Sequence, residues 1–457
     1  MDKIKKYLFS LLTVLCFLTA TVSSDAAVIV QCPGDLNGDA IPDPFLFNSN
    51  GTPDPARPNP EYDPNVECMH LGAGDGFVTM ADGHPQYMFG FSDLTGIRDD
   101  PATTKDERLE AGILAATSPA PTIFVHQGER FYLNLTNVGM MMRPDLFDPH
   151  TVHWHGFPNS SAVFDGEPDS STSINMGFSF TYYYNVVEPG TYMYHCHMEA
   201  TEHMQMGMLG NLYVLPGQDR LPNGTLLGSH VHANAGDADK APFGDFPGTG
   251  DVDINGNGRF DEGTHHKYAY NDGDGSTAYD VDFPIQIGSF DGVYHDDHIA
   301  VQPLPFYYMR DNYPFLNGRG YPDTVNTSAL PAPVVPDVAT KVSQKLHSLV
   351  EASPGQRVLL RISNLNVTRF YTLATLGIPM KIVGYNARLL RSPSGKNLYY
   401  STQSVTTGGG ESLDAILEIP ASATPGSKYF IYTTNLNFLS NDTDDFGGMM
   451  TEIRIKP

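Results

Sequence analysis

Short runs of β-branched and aromatic residues, bounded by Gly, Pro or Asn, recur along most of the chain. Residues 122–125, 131–135 and 179–184 are examples. Runs of this length and composition are typical of β-strands, and the 3.6-residue repeat of amphipathic helices is nearly absent. The pattern therefore predicts an all-β protein built from Greek-key β-sandwich domains.

An internal repeat divides these strands into two groups. Residues 152–158 are echoed by 373–379, residues 189–192 by 425–428, and Gly207-Met208 by Gly448-Met449. The echoes occur in the same order and at comparable spacing. They predict two related sandwich domains, over residues 111–216 and 283–457.

The remaining regions differ in composition. Residues 27–110 are rich in Pro, Asp, Gly and Asn and show little periodicity, which predicts an irregular N-terminal extension. Residues 217–282 form a polar, Asp/Gly-rich insertion between the two domains. The chain length of 457 residues fits two or three domains at about 150 residues each.

Residues 1–26 have the character of a secretory signal. Lysines precede an apolar run from Tyr7 to Leu18, and small and polar residues lead to Ala26. The apolar run is shorter than the ~20 residues that a membrane-spanning helix requires. We expect cleavage near Ala26 and export to the periplasm or the extracellular space, without membrane insertion.

The formal charge of −25 at pH 7 narrows the class of partner. So negative a chain argues against nucleic acid and anionic membrane surfaces as partners. It suits cations as ligands or substrates.

The cysteines beyond the signal divide into a pair and a single residue. In an oxidising compartment Cys32 and Cys68, both in the N-terminal extension, are the natural disulfide pair. Cys196 is then left free, between His195 and His197. A free cysteine in an exported protein indicates chemistry at that position.

Metal-binding residue types alternate along two predicted strands near Cys196. Because side chains alternate between the two faces of a strand, His153 and His155 lie on one face of the sheet. For the same reason Cys196 lies on the face opposite to its two histidine neighbours. One face thus offers a thiolate, imidazoles and a thioether, from Cys196, His150, His203 and Met208. Two histidines, one cysteine and a weak axial methionine form the trigonal site of blue-copper centres.

The other face offers imidazoles alone, from His153, His155, His195 and His197. Such a set suits copper that binds and reduces a small ligand such as dioxygen. Because Cys196 lies between the two sets, the backbone provides a covalent electron path from its sulfur to the adjacent histidines. Zinc is the competing metal, but methionine is a poor zinc ligand and six histidines exceed a closed four-ligand site.

These motifs resemble the multicopper oxidase family of cupredoxin-fold proteins, in residues 153–156, 190–197, 203–208 and 316–323. The resemblance implies cupredoxin-like domains with a type 1 copper at His150, Cys196, His203 and Met208. It also implies a type 2 copper at His153 and type 3 coppers at His155, His195 and His197. By its spacing Asp165 would deliver protons to the oxygen-reducing cluster, although an aspartate before Gly166 suits a plain turn equally well.

The sequence departs from the family pattern in two places. The segment between His197 and His203 is longer than the family usually shows. The family also takes half of its cluster histidines from a second cupredoxin domain, where the repeat places Ala374, Leu376, Thr433 and Asn435. We therefore expect a second domain without metal.

Three arrangements would accommodate the missing histidines. The four imidazoles could hold a reduced cluster, or copies in a homo-oligomer such as a trimer could pool theirs. Alternatively, the remaining ligands could come from His230, His232, His265, His266, His295 or His298.

A calcium-like loop lies in the insertion. Oxygen donors stand at the first, third, fifth and ninth loop positions, with a glycine at the sixth: Asp253, Asn255, Asn257, Asp261 and Gly258. Thr264 stands where a full EF-hand has glutamate. Residues 35–43 form a weaker copy. We expect any calcium bound here to be structural.

Together these features predict an exported, copper-dependent oxidoreductase. It would oxidise a phenol or a metal ion by one electron at the type 1 site and reduce dioxygen, or another small acceptor, at the histidine site. A non-catalytic blue-copper electron carrier or copper-binding protein is the alternative from another class. A copper nitrite reductase is disfavoured, because that family keeps only the histidine before the cysteine, whereas His197 follows Cys196 here.

Overall fold

The computed structural model describes residues 28–98, 106–158, 160–222, 224–232, 267–333 and 341–457. The first strands are β1 (Phe45–Phe47), β2 (Pro53–Pro58), β3 (Val66–Thr79), β4 (Pro85–Asp93), β5 (Ala120–His126), β6 (Arg130–Gly139), β7 (His153–His155), β8 (Ser179–Asn185), β9 (Gly190–His195) and β10 (Leu209–Leu215). Between and after them come the helices α1 (Glu107–Gly112), α2 (Ala200–Gln205) and α3 (Gly292–Ile299).

The later strands are β11 (Leu226–Leu227), β12 (His230–Val231), β13 (Lys267–Tyr268), β14 (Ala278–Tyr279), β15 (Val281–Phe290), β16 (Tyr313–Leu316), β17 (Leu330–Pro331), β18 (Val342–Gln344), β19 (Val350–Ala352), β20 (Arg357–Asn364), β21 (Tyr371–Leu376), β22 (Met380–Tyr385), β23 (Arg388–Leu389), β24 (Tyr400–Thr402), β25 (Ser404–Thr407), β26 (Glu411–Glu418), β27 (Lys428–Thr433) and β28 (Met450–Ile455). The predicted signal at residues 1–26 and the calcium-like loop at 253–261 lie outside the described residues.

Two four-stranded sheets form the first sandwich. One has the order β4-β3-β6-β8 and the other the order β5-β10-β9-β7. Their facing sides share one apolar core, which includes Leu71, Phe89, Leu133 and Trp154. The indole of Trp154 stacks on the ring of Tyr184, with the ring centroids 3.7 Å apart. The predicted all-β class is confirmed.

Strands β3 and β4 correct the prediction of an irregular extension over residues 27–110. β3 pairs with both β4 and β6, so residues 66–93 belong to the first sandwich. Nearly all of β3 is buried, and it therefore lacks the apolar–polar alternation of a half-exposed strand. Its glycines are required by close packing, because a Cβ at Gly72 would lie 2.7 Å from Ser92 Oγ.

The residues before β3 form the short hairpin β1–β2 and the loops around it. A disulfide joins Cys32 to Cys68 in β3, which confirms the predicted pair. The guanidinium of Arg98 also contacts the Asp39 carboxylate at 3.0 Å. These contacts fix the N-terminal residues to the first sandwich.

The second sandwich is larger. One sheet has the order β16-β15-β20-β26-β22-β23, with β24 paired to β22, and the other has the order β19-β28-β27-β21-β25. Its core includes Phe283, Leu360, Leu373 and Ile431. The described part of the insertion contributes two small hairpins, β11–β12 and β13–β14. None of the helices in the described ranges is long and apolar enough to cross a membrane.

The two sandwiches meet along β9. Thr191 Oγ1 donates a hydrogen bond to Asp414 Oδ1 at 2.6 Å, and Ser412 Oγ donates to the Thr191 carbonyl at 2.6 Å. Behind this contact the fully buried guanidinium of Arg361 lies 3.1 Å from Asp282 and 3.9 Å from Asp414. Because β9 ends at His195, the strand that leads into the candidate metal ligands is held against the second domain.

Candidate metal centres

The two histidine motifs lie side by side in one sheet. β7 pairs antiparallel with β9, which places His153 opposite His195 and His155 opposite Met193. Trp154, between the two β7 histidines, points into the core and is fully buried. The alternation read from the sequence therefore puts the histidines on the side that faces away from the core.

The four imidazoles form one cluster. The ring centroid of His153 lies 5.2 Å from that of His195 and 5.0 Å from that of His197. His155 Nδ1 lies 3.3 Å from His195 Nε2. Ligand atoms of His153, His155 and His195 approach one another closely enough to share a metal ion.

Hydrogen bonds orient the cluster. A carbonyl oxygen can only accept, so His153 donates its Nδ1–H to the Asp165 carbonyl at 2.6 Å, and His195 donates its Nδ1–H to the Cys196 carbonyl at 2.9 Å. Nε2 of each ring then carries no proton and can act as a ligand, and Nε2 of His195 faces His155 Nδ1. Burial also lowers the pKa of His195 to about 3, which keeps its imidazole neutral.

Two carboxylates stand beside the cluster, and the sequence indicated only one. Asp165 contacts His153 through its carbonyl, and its carboxylate oxygen lies 3.6 Å from the same ring nitrogen. Glu167 was missed, although its carboxylate lies 3.2 Å from His197 Nε2. The signal for Glu167 was weak, since it is simply the next acidic residue after Asp165.

A cavity of about 410 Å³ opens onto the imidazoles. From the first domain it is lined by His153, His155, Glu167, His195, His197, Ala200, Thr201 and Met204, and from the second by Leu365, Asn366, Val367, Gly409 and Gly410. Gly410 has a φ of +86°, and a Cβ there would lie 2.6 Å from His155 Nε2. The second domain therefore covers the cluster with small and apolar groups and one amide.

The second-domain positions that replace the family's histidines do not line this cavity. Ala374 and Thr433 are buried in the second sandwich, Leu376 is exposed, and Asn435 caps a short turn. Each is a residue that does not normally bind copper. A second domain without metal stays a prediction.

The other candidate histidines in the described ranges also lie away from the cavity. Both ring nitrogens of His295 face backbone carbonyls, of Tyr87 and Gln205. His298 Nε2 contacts Glu202 at 2.8 Å. His232 contacts Tyr268, and His230 lies beside the same ring. His265 and His266 lie outside the described residues.

A second group of ligands surrounds the sulfur of Cys196. Cys196 is free, and its Sγ lies 3.2 Å from His203 Nδ1 and 3.8 Å from His150 Nδ1. All three residues are buried and their ligand atoms lie close enough to share a metal ion. Met208, also fully buried, accepts the Cys196 N–H through its carbonyl at 3.1 Å.

The thiol and imidazoles of this group suit a soft metal cation such as copper. In the metal-free site burial raises the pKa of the Cys196 thiol to about 11 and lowers that of His203 to about 4, because a dry site disfavours any isolated charge. A bound cation reverses this preference for the thiol, since it stabilises the thiolate directly. Burial of these ligands away from water therefore favours the binding of a metal ion between them.

Comparison with known proteins finds relatives for the segment that contains both ligand groups. The multicopper oxidase family model matches residues 100–219, the segment that carries every histidine and cysteine of both groups. This segment is similar to multicopper oxidases.

Curated relatives share short segments with this chain. Multicopper oxidase MmcO of Mycobacterium tuberculosis is 35% identical over 82 residues, 18% of this chain and 15% of that protein. L-ascorbate oxidase of Cucurbita pepo var. melopepo is 32% identical over 108 residues, which are 22% of this chain and 17% of that protein. Copper-containing nitrite reductase of Pseudomonas chlororaphis is 28% identical over 145 residues, which are 31% of this chain and 36% of that protein. The chain therefore spans only a minor part of the length of these relatives.

Solved structures extend the likeness to most of the fold. Blue copper oxidase from Nitrosomonas europaea superposes with a TM-score of 0.54 and 19% identity, over 85% of this chain and 86% of that one. Multicopper oxidase mgLAC gives a TM-score of 0.53 and 18% identity, over the same shares. At this identity the likeness concerns the fold, which is that of cupredoxin-like sandwiches.

Proposed function

We propose that this protein is an exported multicopper oxidase that couples one-electron oxidation of a substrate to the reduction of dioxygen. A type 1 copper would be held by His150, Cys196, His203 and Met208. A second copper site, of type 2 and type 3 character, would be held by His153, His155, His195 and His197. Copper supplies the one-electron redox chemistry when it is bound.

The observation that carries the proposal is the position of Cys196 between the two ligand groups. Its side chain lies 3.2 Å from His203, while the next residues on either side, His195 and His197, line the large cavity. Each of these histidines is one peptide unit from Cys196, so the backbone would provide a short covalent path between a copper held at Cys196 and the imidazole cluster.

The electron donor would dock beside His203. Its Nδ1 faces the sulfur, and its buried Nε2 lies on the other side of the ring, 3.9 Å from the Asp148 carboxylate. The Asp148 side chain is 20% exposed and connects this ring to the surface. With a net charge of −25, the protein favours a metal cation as donor, and a phenol is the other class of substrate.

The acceptor would bind in the imidazole-lined cavity. Its polar wall comes from the first domain and its opposite wall from residues 365–367 and 409–410. His195, which burial keeps neutral, can bind copper without first losing a proton.

The described cavity wall carries no histidine from the second domain, so within one chain it offers the four imidazoles of the first domain. Four imidazoles suffice for one or two coppers, fewer than the full cluster of the family. Pooling of histidines in a homo-oligomer such as a trimer is the other arrangement, and the two predict different copper counts and molecular masses.

The same observation favours one alternative function. A protein that has lost half of its oxygen-site ligands could serve as a blue-copper electron carrier. The carrier would hold one copper for each chain, whereas the oxidase would hold more than one and consume dioxygen with a reducing substrate.

The test combines copper content with oxygen uptake on the purified protein. The oxidase predicts more than one copper for each chain and uptake driven by a phenol, Fe(II), Cu(I) or Mn(II). One copper with reversible bleaching of the visible band, and no uptake with any of these donors, would instead establish the carrier.

Two further parts of the proposal concern residues outside the described ranges. Residues 1–26 would direct export to the periplasm or the extracellular space. Asp253, Asn255, Asn257 and Asp261 would bind a structural calcium ion. Mass spectrometry of the mature N-terminus and calcium titration of the copper-loaded protein test them.

A further inference from the structure

The second-domain wall of the imidazole cavity contains one strongly fixed polar side chain, Asn366. This residue lies in the loop between β20 and β21 and is 8% exposed. Its Nδ2 donates to Asn364 Oδ1 at 2.7 Å, which directs its Oδ1 the other way, onto the Ser289 hydroxyl. Asn366 therefore connects the cavity to residues behind it.

Behind Asn366 lies a buried carboxyl group. Ser289 Oγ contacts Asp311 Oδ2 at 2.8 Å, and Thr368 Oγ1 contacts the same oxygen. Asp311 is only 6% exposed, and its Oδ1 has no hydrogen-bond partner among the described residues. The order Asp311–Ser289–Asn366 runs from near the surface of the second domain to the cavity wall.

The number of protons available for the hydrogen bonds among Asp311, Ser289 and Asn366 favours a neutral Asp311. Ser289 has one hydroxyl proton, yet its oxygen contacts two acceptors, Asp311 Oδ2 and Asn366 Oδ1. If Asp311 carries a proton on Oδ2, it donates to Ser289 Oγ and Ser289 donates to Asn366 Oδ1, so both contacts of Ser289 Oγ are hydrogen bonds. An ionised Asp311 would leave one of these buried oxygens facing another acceptor.

A small cavity continues this series of hydrogen-bonded groups toward the imidazoles. Its volume of about 10 Å³ is that of one water position, and its polar lining is Gln205, Ser289 and Asn366. Gln205 Nε2 is buried and lacks a partner in the described parts of the chain. The small cavity shares Asn366, Met204 and residues 365 and 367 with the large one. A water at this position would have the polar neighbours that it requires.

We propose that Asp311, through Ser289 and a water beside Asn366, delivers protons from the second domain to the imidazole-lined cavity. The inference rests on the proposed function, because reduction of dioxygen to two waters takes up four electrons and four protons. For each electron that the donor supplies, Asp311 gives its proton to Ser289 Oγ. The Ser289 hydroxyl turns from Asn366 Oδ1 to the water and releases its own proton there, and solvent then reprotonates Asp311.

This route differs from the one that the family resemblance implies. Asp165 lies on the first-domain side, where it fixes His153, whereas Asp311 approaches from the opposite wall. The charged and titratable groups that face Asp311 are Arg369, Asp291 and Tyr371. Burial raises the pKa of Asp311, and the hydrogen bonds from Thr368 and Ser289 and the charge of Arg369 only partly offset this.

The first test is spectroscopic and needs no copper. Infrared spectra of the metal-free protein, compared with those of Asp311→Asn at the same pH, should show the C=O stretch of a neutral carboxylic acid that the substitution removes. Ser289→Ala should keep that band. If Asp311→Asn removes no such band at any pH, Asp311 is ionised and the route is wrong.

The second test separates the two half-reactions in copper-loaded protein. Asp311→Asn and Ser289→Ala should leave copper content, visible absorption and anaerobic reduction by the donor unchanged, and slow reoxidation by dioxygen by about a hundredfold. The matched control is Asp93→Asn, which removes another buried carboxyl group, in the first domain, whose pKa burial raises to about 6. It should reoxidise at the rate of the unaltered protein.

The outcomes distinguish the inference from the function on which it rests. If the unaltered protein consumes dioxygen and both variants reoxidise at its rate, the proton route is overturned and the oxidase stands. If the unaltered protein consumes no dioxygen with any donor, both proposals fall. If Asp311→Asn does not fold, the reoxidation rate of Ser289→Ala still tests the route.

Discussion

The sulfur of Cys196 lies 3.2 Å from Nδ1 of His203, and both side chains are fully buried in the first sandwich. Cys196 is placed by the end of β9 and His203 by helix α2, so the intervening segment must turn back sharply. The turn is made at Glu199, which has a φ of +45°. Copper binding, colour and electron entry are all expected to depend on this one contact.

Replacement of the sulfur should separate the two metal sites. In Cys196→Ser the hard hydroxyl cannot replace the thiolate, so the blue absorption should vanish and substrate-driven oxygen uptake should fall to background. Copper held by the imidazole cluster should remain, as measured by spin resonance. Met208→Leu is the control, because it removes only the weak axial ligand and should keep the colour. Unchanged oxygen uptake in Cys196→Ser would contradict the proposed electron path.

Gly410→Ala should damage the imidazole site alone. The added Cβ would lie 2.6 Å from His155 Nε2, which forces the ring or the loop to move. We expect loss of copper from the cluster and a fall in oxygen reduction of about 10²-fold, with the blue site intact. Gly355→Ala is a matched control, since Gly355 has the same φ of +86° but open space around it. Equal effects of the two substitutions would show that backbone strain, not the contact, is responsible.

The buried charges between the domains should matter for stability. Arg361 is fully buried with Asp282 and Asp414, and Asp414 also holds Thr191 of β9. Arg361→Met leaves two buried carboxylates without their cation and should cost about 3–5 kcal/mol in the free energy of unfolding.

Urea unfolding, followed by the signals of both domains, measures the effect of Arg361→Met. The control is Arg130→Met, which breaks a half-exposed pair with Asp63 and should scarcely shift the midpoint. If the two variants unfold at the same urea concentration, the interdomain charges do not stabilise the fold.

Acid should destabilise the first sandwich through His70. This side chain in β3 is 1% exposed and bonded to Thr136 Oγ1, and burial, with the charge of Arg108, lowers its pKa from 6.5 to about 3. The unfolded chain binds the proton more readily than the folded one. The stabilisation by neutral His70 is therefore present above pH 6.5 and is lost between about pH 6.5 and 3, at up to about 1.4 kcal/mol for each pH unit.

Unfolding of metal-free protein across this pH range tests the assignment. His70→Gln retains a side chain that can bond to Thr136 but does not titrate, so its stability should fall less steeply with decreasing pH. Parallel curves for the two proteins would show that His70 does not titrate on unfolding.

Much of both sites could be predicted from the sequence because the relevant spacing is local. In a strand, alternation alone decides which side chains share a face, so His153 and His155, and likewise His195 and His197, were correctly placed together. The free Cys196 followed from counting cysteines, and the structure confirms the disulfide that leaves it free.

The rest depends on contacts between residues far apart in the chain. β3 was missed because it is buried on both faces and rich in glycine, so its sequence resembles a loop. Gly410 and Asn366 carry no chemical signature of a site, and only the packing of the second domain brings them to the cavity. Glu167 likewise gains its role from the position of the His197 ring.

The most direct test of the account is the visible absorption and copper content of the fully loaded protein. A thiolate–Cu(II) bond at Cys196 predicts an intense blue band that disappears on reduction, with more than one copper bound to each chain. A colourless protein at full copper loading, or a Cys196 found in a disulfide, would contradict it.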